Sequence, residues 1–268
     1  MYCGRSSVGR ALAFQARCRE FETLRPLQNL HCMNFLITGD SWSVGEHQDT
    51  QSQPKLNTNG LTECLAKDGH SVINIGKSGF SNSAISWHLA TFLDTNRHLQ
   101  FDKILVFQTE FTRCIEKLDQ LDCDLSSLQS KWISQFYQNL SNTATKNHCQ
   151  IYIIGGCGDA LWLNDLKHEY PNVSIACQSF TNLLVNNDHK VDTPVFDMYN
   201  HAQLPLVENI KKYCNFDQLE FLIESIDQAI IRRKVWHDHP EWFFPDGVHP
   251  NQKAFERLYK FLIEQSVI

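Results

Sequence analysis

A serine, a histidine and an aspartate stand in short stretches bounded by glycine and proline, and those three residue types can together turn a hydroxyl into a nucleophile. The serine is Ser41, in Gly39-Asp40-Ser41. A serine hydroxyl is a poor nucleophile near neutral pH unless a neighbouring base takes its proton. His249 is the candidate base, in "FFPDGVHPNQKAF" (Phe243 to Phe255), with Asp246 three residues before it and Pro250 closing the turn. At that spacing the carboxylate can hold one ring nitrogen while the other faces outward, which fixes the tautomer and stabilises the imidazolium. A third stretch, "NIGKSGFSN" (Asn74 to Asn82), is rich in glycine. Its backbone N–H groups can turn inward and hold the negative oxygen of a tetrahedral intermediate. Each stretch has a plainer reading as well. Ser41 can be a helix N-cap or part of an Asx turn, Asp246 and His249 a surface turn with a capping acid, and the glycines an ordinary β-to-α turn.

These residues need elements to carry them. Short runs rich in Ile, Val, Leu or Phe occur at Asn34–Thr38, Ser71–Ile75, Lys103–Phe107, Gln150–Ile154 and Val173–Cys177. Such runs suit parallel strands buried on both faces. Amphipathic patterns lie between them: Leu61, Cys64 and Leu65; Ile85, Leu89 and Phe92, opened by Asn82 or Ser83 as N-cap; Leu125, Leu128, Trp132, Phe136 and Leu140. Two more follow, one with Leu219, Leu222, Ile223, Ile226 and Ile230, and a last one from about Asn251 with Phe255, Leu258 and Leu262. Alternating strands and helices predict an α/β fold, a three-layer α/β/α sandwich around a five-stranded parallel sheet of flavodoxin-like order. Ligands in such sheets bind at the carboxyl ends of the strands, and Gly39-Asp40-Ser41 falls there. Residues 185–215 read as a long irregular excursion, either a lid over the site or an insertion with no role.

In this order the three stretches resemble the SGNH (GDSL-like) hydrolase family, from about Met33 to the C-terminus. Gly39-Asp40-Ser41 is similar to its first block, Asn74, Gly76 and Gly79 to its second, and Asp246 and His249 to its last. The resemblance implies Ser41 as nucleophile, His249 as base, Asp246 as its orienting acid, and an oxyanion hole built from the N–H groups of Ser41 and Gly79. The order Ser, Asp, His also differs from that of the G-x-S-x-G hydrolases, and that pentapeptide is absent. One block departs. Where the family carries Gly-x-Asn-Asp after the third strand, this chain reads "VFQTEFTRC", with Gln108 at the glycine and Glu110 at the asparagine. An ionised carboxylate cannot donate to an oxyanion. Glu110 can be protonated by burial, or turn away to pair with Arg113; Asn82, Gln108 or Thr109 can then supply the missing donor. The set "GDSW…GE", "GxSN" and "QTExTR" is similar to a divergent branch found in phage-type genomes. The implied activity is hydrolysis of a small acyl ester, on a carbohydrate by analogy, with no cofactor. The rival is a non-catalytic module of the same fold that binds a glycan or a protein.

Composition narrows the classes further. Net charge is −6 and no Lys/Arg block is long enough to follow a phosphate backbone, which argues against nucleic acid as a partner. No apolar run reaches the length of a membrane span. The ten cysteines include no CxxC and no zinc-type spacing, so they read as reduced thiols of a cytoplasmic protein, and no secretory leader pattern is present. His237, Asp238 and His239 read as surface residues rather than a metal site. Trp42, Trp236 and Trp242 read as packing residues rather than sugar platforms, and Cys157 as structural. Residues 1–32 stand apart from 33–268, the hydrolase-like domain. "SSVGRA" can be spelled AGC TCA GTT GGT AGA GCA and "REFETL" CGG GAG TTC GAA ACT CTC, a D-arm and a T-arm. The segment therefore resembles a translated transfer-RNA gene, with Met33 as the true start and residues 1–32 a spurious or disordered extension; a basic targeting arm is the alternative.

Overall fold

The computed structural model describes residues 32–50, 53–56, 60–109, 125–160, 170, 172–190, 236–244 and 248–268, with backbone only for 46–50, 53–56 and 125–130. Contacts divide the chain between Cys32 and Met33. Several sequence expectations lie outside the described residues: the extension up to residue 31, the helical pattern from Leu219 to Ile230, most of the excursion from 191 to 215, and both Glu110 and Asp246.

All five expected strands form, each within one residue of its expected bounds. They are β1 (Asn34–Thr38), β4 (Ser71–Asn74), β5 (Lys103–Gln108), β6 (Gln150–Gly155) and β7 (Val173–Cys177). They make one sheet of order β4-β1-β5-β6-β7, with every neighbouring pair parallel. Alternation along the strands sends side chains to two separate cores. Phe35, Ile37, Leu105 and Phe107 enter one core; Leu36, Ile104, Val106, Ile151 and Ile153 enter the other. The first core is closed by Leu61 and Leu65 of α2 (Gly60–Lys67), Phe180 and Leu183 of α5 (Phe180–Val185), and Phe255 and Leu258 of α6 (Gln252–Glu264). The second is closed by Ile85, Leu89 and Leu93 of α3 (Asn82–Thr95) and by Ile133, Phe136, Tyr137 and Leu140 of α4 (Leu125–Asn147). Two apolar faces need two helical layers, and the result is a three-layer α/β/α sandwich.

Three local expectations need correction. The N-cap of α3 is Ser81, whose hydroxyl accepts the Ala84 N–H at 3.3 Å; Asn82 is already helical and its amide has another use. The buried stripe of α4 keeps the expected Phe136 and Leu140 and adds Ile133 and Tyr137, while the expected Trp132 is only half-buried, because two adjacent apolar residues leave the phase of the pattern open. An antiparallel hairpin, β2 (Glu46–Thr50) with β3 (Gln53–Leu56), was not expected. Its sequences EHQDT and QPKL have no apolar alternation, and Pro54 suits only an unpaired edge.

The described cysteines form no disulfide, and burial pushes the Cys64 and Cys149 thiols up to about 11. No described helix is long and apolar enough to cross a membrane. Two histidines, His70 buried and His189 half-buried, act as hydrogen-bond acceptors: His70 Nδ1 takes the Met33 N–H and His189 Nδ1 takes the Gln178 N–H, each at 3.3 Å. Burial lowers the pKa of both below the ordinary 6.5. A depressed folded-state pKa means that the unfolded chain takes up protons first, so stability is complete above about pH 6.5 and falls as pH drops below it. The urea midpoint is expected to fall between pH 7.5 and 5.5, and a His70→Gln/His189→Gln chain to show a flatter dependence over that range. An unchanged slope contradicts this account.

Candidate active site

The first block is built by a close approach. Gly39 follows β1 with φ +151°, and a Cβ there would lie 2.7 Å from Phe107 Cβ and 2.8 Å from Ser43 Cβ. Only glycine lets the chain turn so near β5. The turn opens α1 (Ser41–Val44), and its N-cap is Asp40, not Ser41. Asp40 Oδ1 accepts the Trp42 N–H at 3.0 Å, and the Asp40 carbonyl accepts both the Ser43 N–H at 3.1 Å and the Ser43 hydroxyl at 2.7 Å. Gly45 ends the helix in the left-handed region, φ +74°. Ser41 is 5% exposed, and among the described residues its hydroxyl makes no hydrogen bond. Its N–H lies in the first turn, where no intrahelical acceptor exists.

The second block is bracketed against the first. Beyond the end of β4 the pairing with β1 continues, with Ile75 N–H on the Ile37 carbonyl at 2.9 Å and Lys77 N–H on the Gly39 carbonyl at 3.0 Å. Asn74 donates to the Ser43 carbonyl at 2.7 Å and to Thr62 Oγ1 at 3.0 Å, and accepts the Gly76 N–H at 2.9 Å. A Cβ at Gly76 would fall 2.0 Å from Ser43 Oγ. The Lys77–Phe80 turn closes with Phe80 N–H on the Lys77 carbonyl at 3.2 Å. Gly79 takes φ +77° there and faces open space. Its N–H makes no hydrogen bond among the described residues.

The last block reaches the same end of the sheet. Phe243 pairs with Pro250 as an antiparallel bridge. On either side, Phe244 N–H donates to the His249 carbonyl and Asn251 N–H to the Trp242 carbonyl, both at 2.8 Å. Val248 and Phe243 are buried in the same core as Trp42, the residue after Ser41. The Trp42 and Phe243 rings lie 6.3 Å apart. His249, half-buried, thus sits on a short hairpin seated against α1.

The candidate substitute donors have other partners. Asn82 donates to the Thr109 carbonyl at 2.8 Å and accepts the Thr109 N–H at 3.0 Å, tying the start of α3 to the end of β5. Gln108 accepts the Tyr137 hydroxyl at 2.9 Å and donates to the Asp159 carbonyl at 2.8 Å. These amides hold the carboxyl end of β5. Trp42 and Trp236 are fully buried, and Trp242 is half-buried beneath the Lys253 ammonium, 5.1 Å from its ring centre. His239 pairs with Glu241 at 2.8 Å, and no cluster able to hold a metal occurs among the described residues. Reading the sequence missed the bracketing by Asn74, Ser43 and Thr62. An asparagine two residues before a glycine at a strand end was the available signal.

No family model matches the chain, and no curated protein matches it. Similar solved structures include TesA, at 14% identity over 86% of this chain and 96% of that one, TM-score 0.42. The psychrotrophic esterase EstA from Pseudoalteromonas sp. aligns at 10% identity over 88% and 99%, TM-score 0.41. Axe2, an acetyl xylan esterase from Geobacillus stearothermophilus, aligns at 12% over 87% and 93%, TM-score 0.36. At these values nothing about activity follows, and the architecture rests on this chain's own strand pairing.

The contact at Gly76 gives a direct test of the bracket. Gly76→Ala is expected to lower unfolding stability by about 1–3 kcal/mol, as overpacking does. Adding Ser43→Ala removes the hydroxyl in the way and should restore a good part of it in urea titrations. Strictly additive losses contradict the close approach.

Proposed function

We propose that the chain is a serine esterase of SGNH type that hydrolyses a small acyl ester, carried on a carbohydrate or another small alcohol. The observation that supports this most is the division of labour at α1. Asp40 does the capping, so the plainer reading of Ser41 as an N-cap falls away. That leaves, at the carboxyl end of β1, a hydroxyl with no hydrogen bond among the described residues, next to Trp42, whose ring meets Phe243 of the segment that carries His249.

In the proposed reaction Ser41 Oγ attacks the ester carbonyl carbon while His249 takes its proton. Asp246 holds the imidazole in the required tautomer. The carbonyl oxygen gains negative charge and is held by the N–H groups of Ser41 and Gly79. The intermediate collapses with cleavage of the ester C–O bond, and His249 passes the proton to the leaving alcohol. Water, deprotonated by His249, then attacks the acyl-serine; the Ser41 C–O bond breaks and Oγ recovers the proton. No cofactor enters. With the Asn82 and Gln108 amides engaged elsewhere, the oxyanion depends on backbone donors, and Glu110 stands where a donating asparagine would add to them. The rival reading, a non-catalytic binding module, draws on that same substitution.

With p-nitrophenyl acetate and a panel of acetylated sugars, Ser41→Ala is expected to reduce turnover at least about 10³-fold. Activity unchanged in Ser41→Ala excludes the proposed nucleophile, and an inert native protein across the panel favours the binding module. Glu110→Asn is expected to raise turnover, by up to about 10²-fold, the worth of one oxyanion donor; a fall contradicts the two-donor hole.

A further inference from the structure

We propose that Phe243 is a positioning residue of this site, the contact through which the packing of α1 sets the reach of His249. The inference rests on the hydrolase reading above and adds the element that holds nucleophile and base in register.

Among the described residues no hydrogen bond fixes the Ser41 hydroxyl, so in this reading its separation from the base depends on how two segments pack. On one side is Trp42, next to Ser41 in a helix of only four residues. Its fully buried indole meets Phe180 at 5.8 Å, Trp236 at 5.4 Å and Phe243 at 6.3 Å. On the other side is the hairpin. Phe243 is its inward residue, 2% exposed, and it faces Pro250, the neighbour of His249, across the ladder. The flanking bonds, Phe244 to His249 and Asn251 to Trp242, allow little slip between the two strands. A displacement of Phe243 therefore displaces the His249 backbone. Trp236 supports the cluster from behind: it packs 5.9 Å from Phe243, and its indole N–H donates to Thr181 Oγ1 at 2.9 Å, anchoring the group to α5. Outside the ladder, Asn251 Nδ2 donates to the Glu241 carbonyl at 3.0 Å and Lys253 lies over Trp242. Among the described residues of the hairpin, Phe243 and Val248 are buried in the core that holds Trp42, and the Phe243 ring is the one that meets the indole.

General packing of the first core has to be separated from positioning. Phe35 gives a matched control, since it is fully buried in the same core but stands at the start of β1, at the opposite end from Ser41. Phe243→Leu is expected to lower kcat on p-nitrophenyl acetate ten- to a hundredfold, the scale of a ~1 Å misplacement, with KM within about twofold. Phe35→Leu should lower the urea midpoint comparably while leaving kcat within about twofold of native, and Phe243→Met, whose longer, flexible side chain reaches further toward the indole, should recover most of the activity. Equal kcat losses in Phe243→Leu and Phe35→Leu, tracking stability, overturn the positioning role while the hydrolase reading stands. A native protein that is inert, with Ser41→Ala indistinguishable from it, overturns the hydrolase reading and this role with it.

Discussion

The candidate site depends on a steric condition at the carboxyl end of β1: no side chain can stand at positions 39 or 76. Phe107 and Ser43 crowd the first and the Ser43 hydroxyl occupies the second. Because both are glycines, α1 can lie directly on the edge of the sheet, between the ends of β4 and β5. Every later feature follows from that approach. Asp40 is placed to cap the helix, and Asn74 reaches across to the Ser43 carbonyl. Lys77 N–H finds the Gly39 carbonyl, which ties the start of the turn holding Gly79 to the residue before Asp40. A methyl group at either glycine would push these parts away from one another.

Two other closures finish the arrangement from different directions. Asn82 and Thr109 clasp the start of α3 to the end of β5, and Gln108 joins that strand to α4 through Tyr137 and to the Asp159 carbonyl. From the far end of the chain, α6 brings its preceding hairpin against Trp42. Gln252 Nε2 on the Gly60 carbonyl, at 3.4 Å, fixes α6 to the start of α2. The order β4-β1-β5-β6-β7 places β1 between β4 and β5, so the chain runs to opposite sides of β1 for the two strands, the arrangement at which open α/β sheets bind their ligands.

Much of the fold was legible because apolar runs mark strands: β1, β5 and β6 are largely buried, and even the edge strand β4, which has no buried residue, keeps its Val72 and Ile73. Five strands of Ile, Val, Leu and Phe appear within one residue of their expected limits, since apolar runs of that kind have few other uses. The polar hairpin of β2 and β3 left no such record. The phase of α4 was ambiguous because Trp132 and Ile133 are both apolar, and only the facing sheet decides between them. At the site the three blocks were readable as blocks, but not the roles within them. Asp40 and Ser41 are both good capping residues, and the choice between them required the geometry of Gly39. The partners of Asn82 and Gln108 stand 27 and 51 residues away, beyond any local pattern. Asp246 and Glu110 lie outside the described residues, so their roles rest on sequence.

The central claim is that residues 41 and 249, more than two hundred positions apart, form one chemical unit. Mapping the adduct left by a fluorophosphonate probe, by peptide mass spectrometry on the full chain, tests this most directly. The account predicts a single adduct on Ser41 in the native protein and none in a His249→Asn chain that unfolds at the same urea concentration. No adduct in the native protein, modification of a different serine, or undiminished labelling without His249 would contradict it.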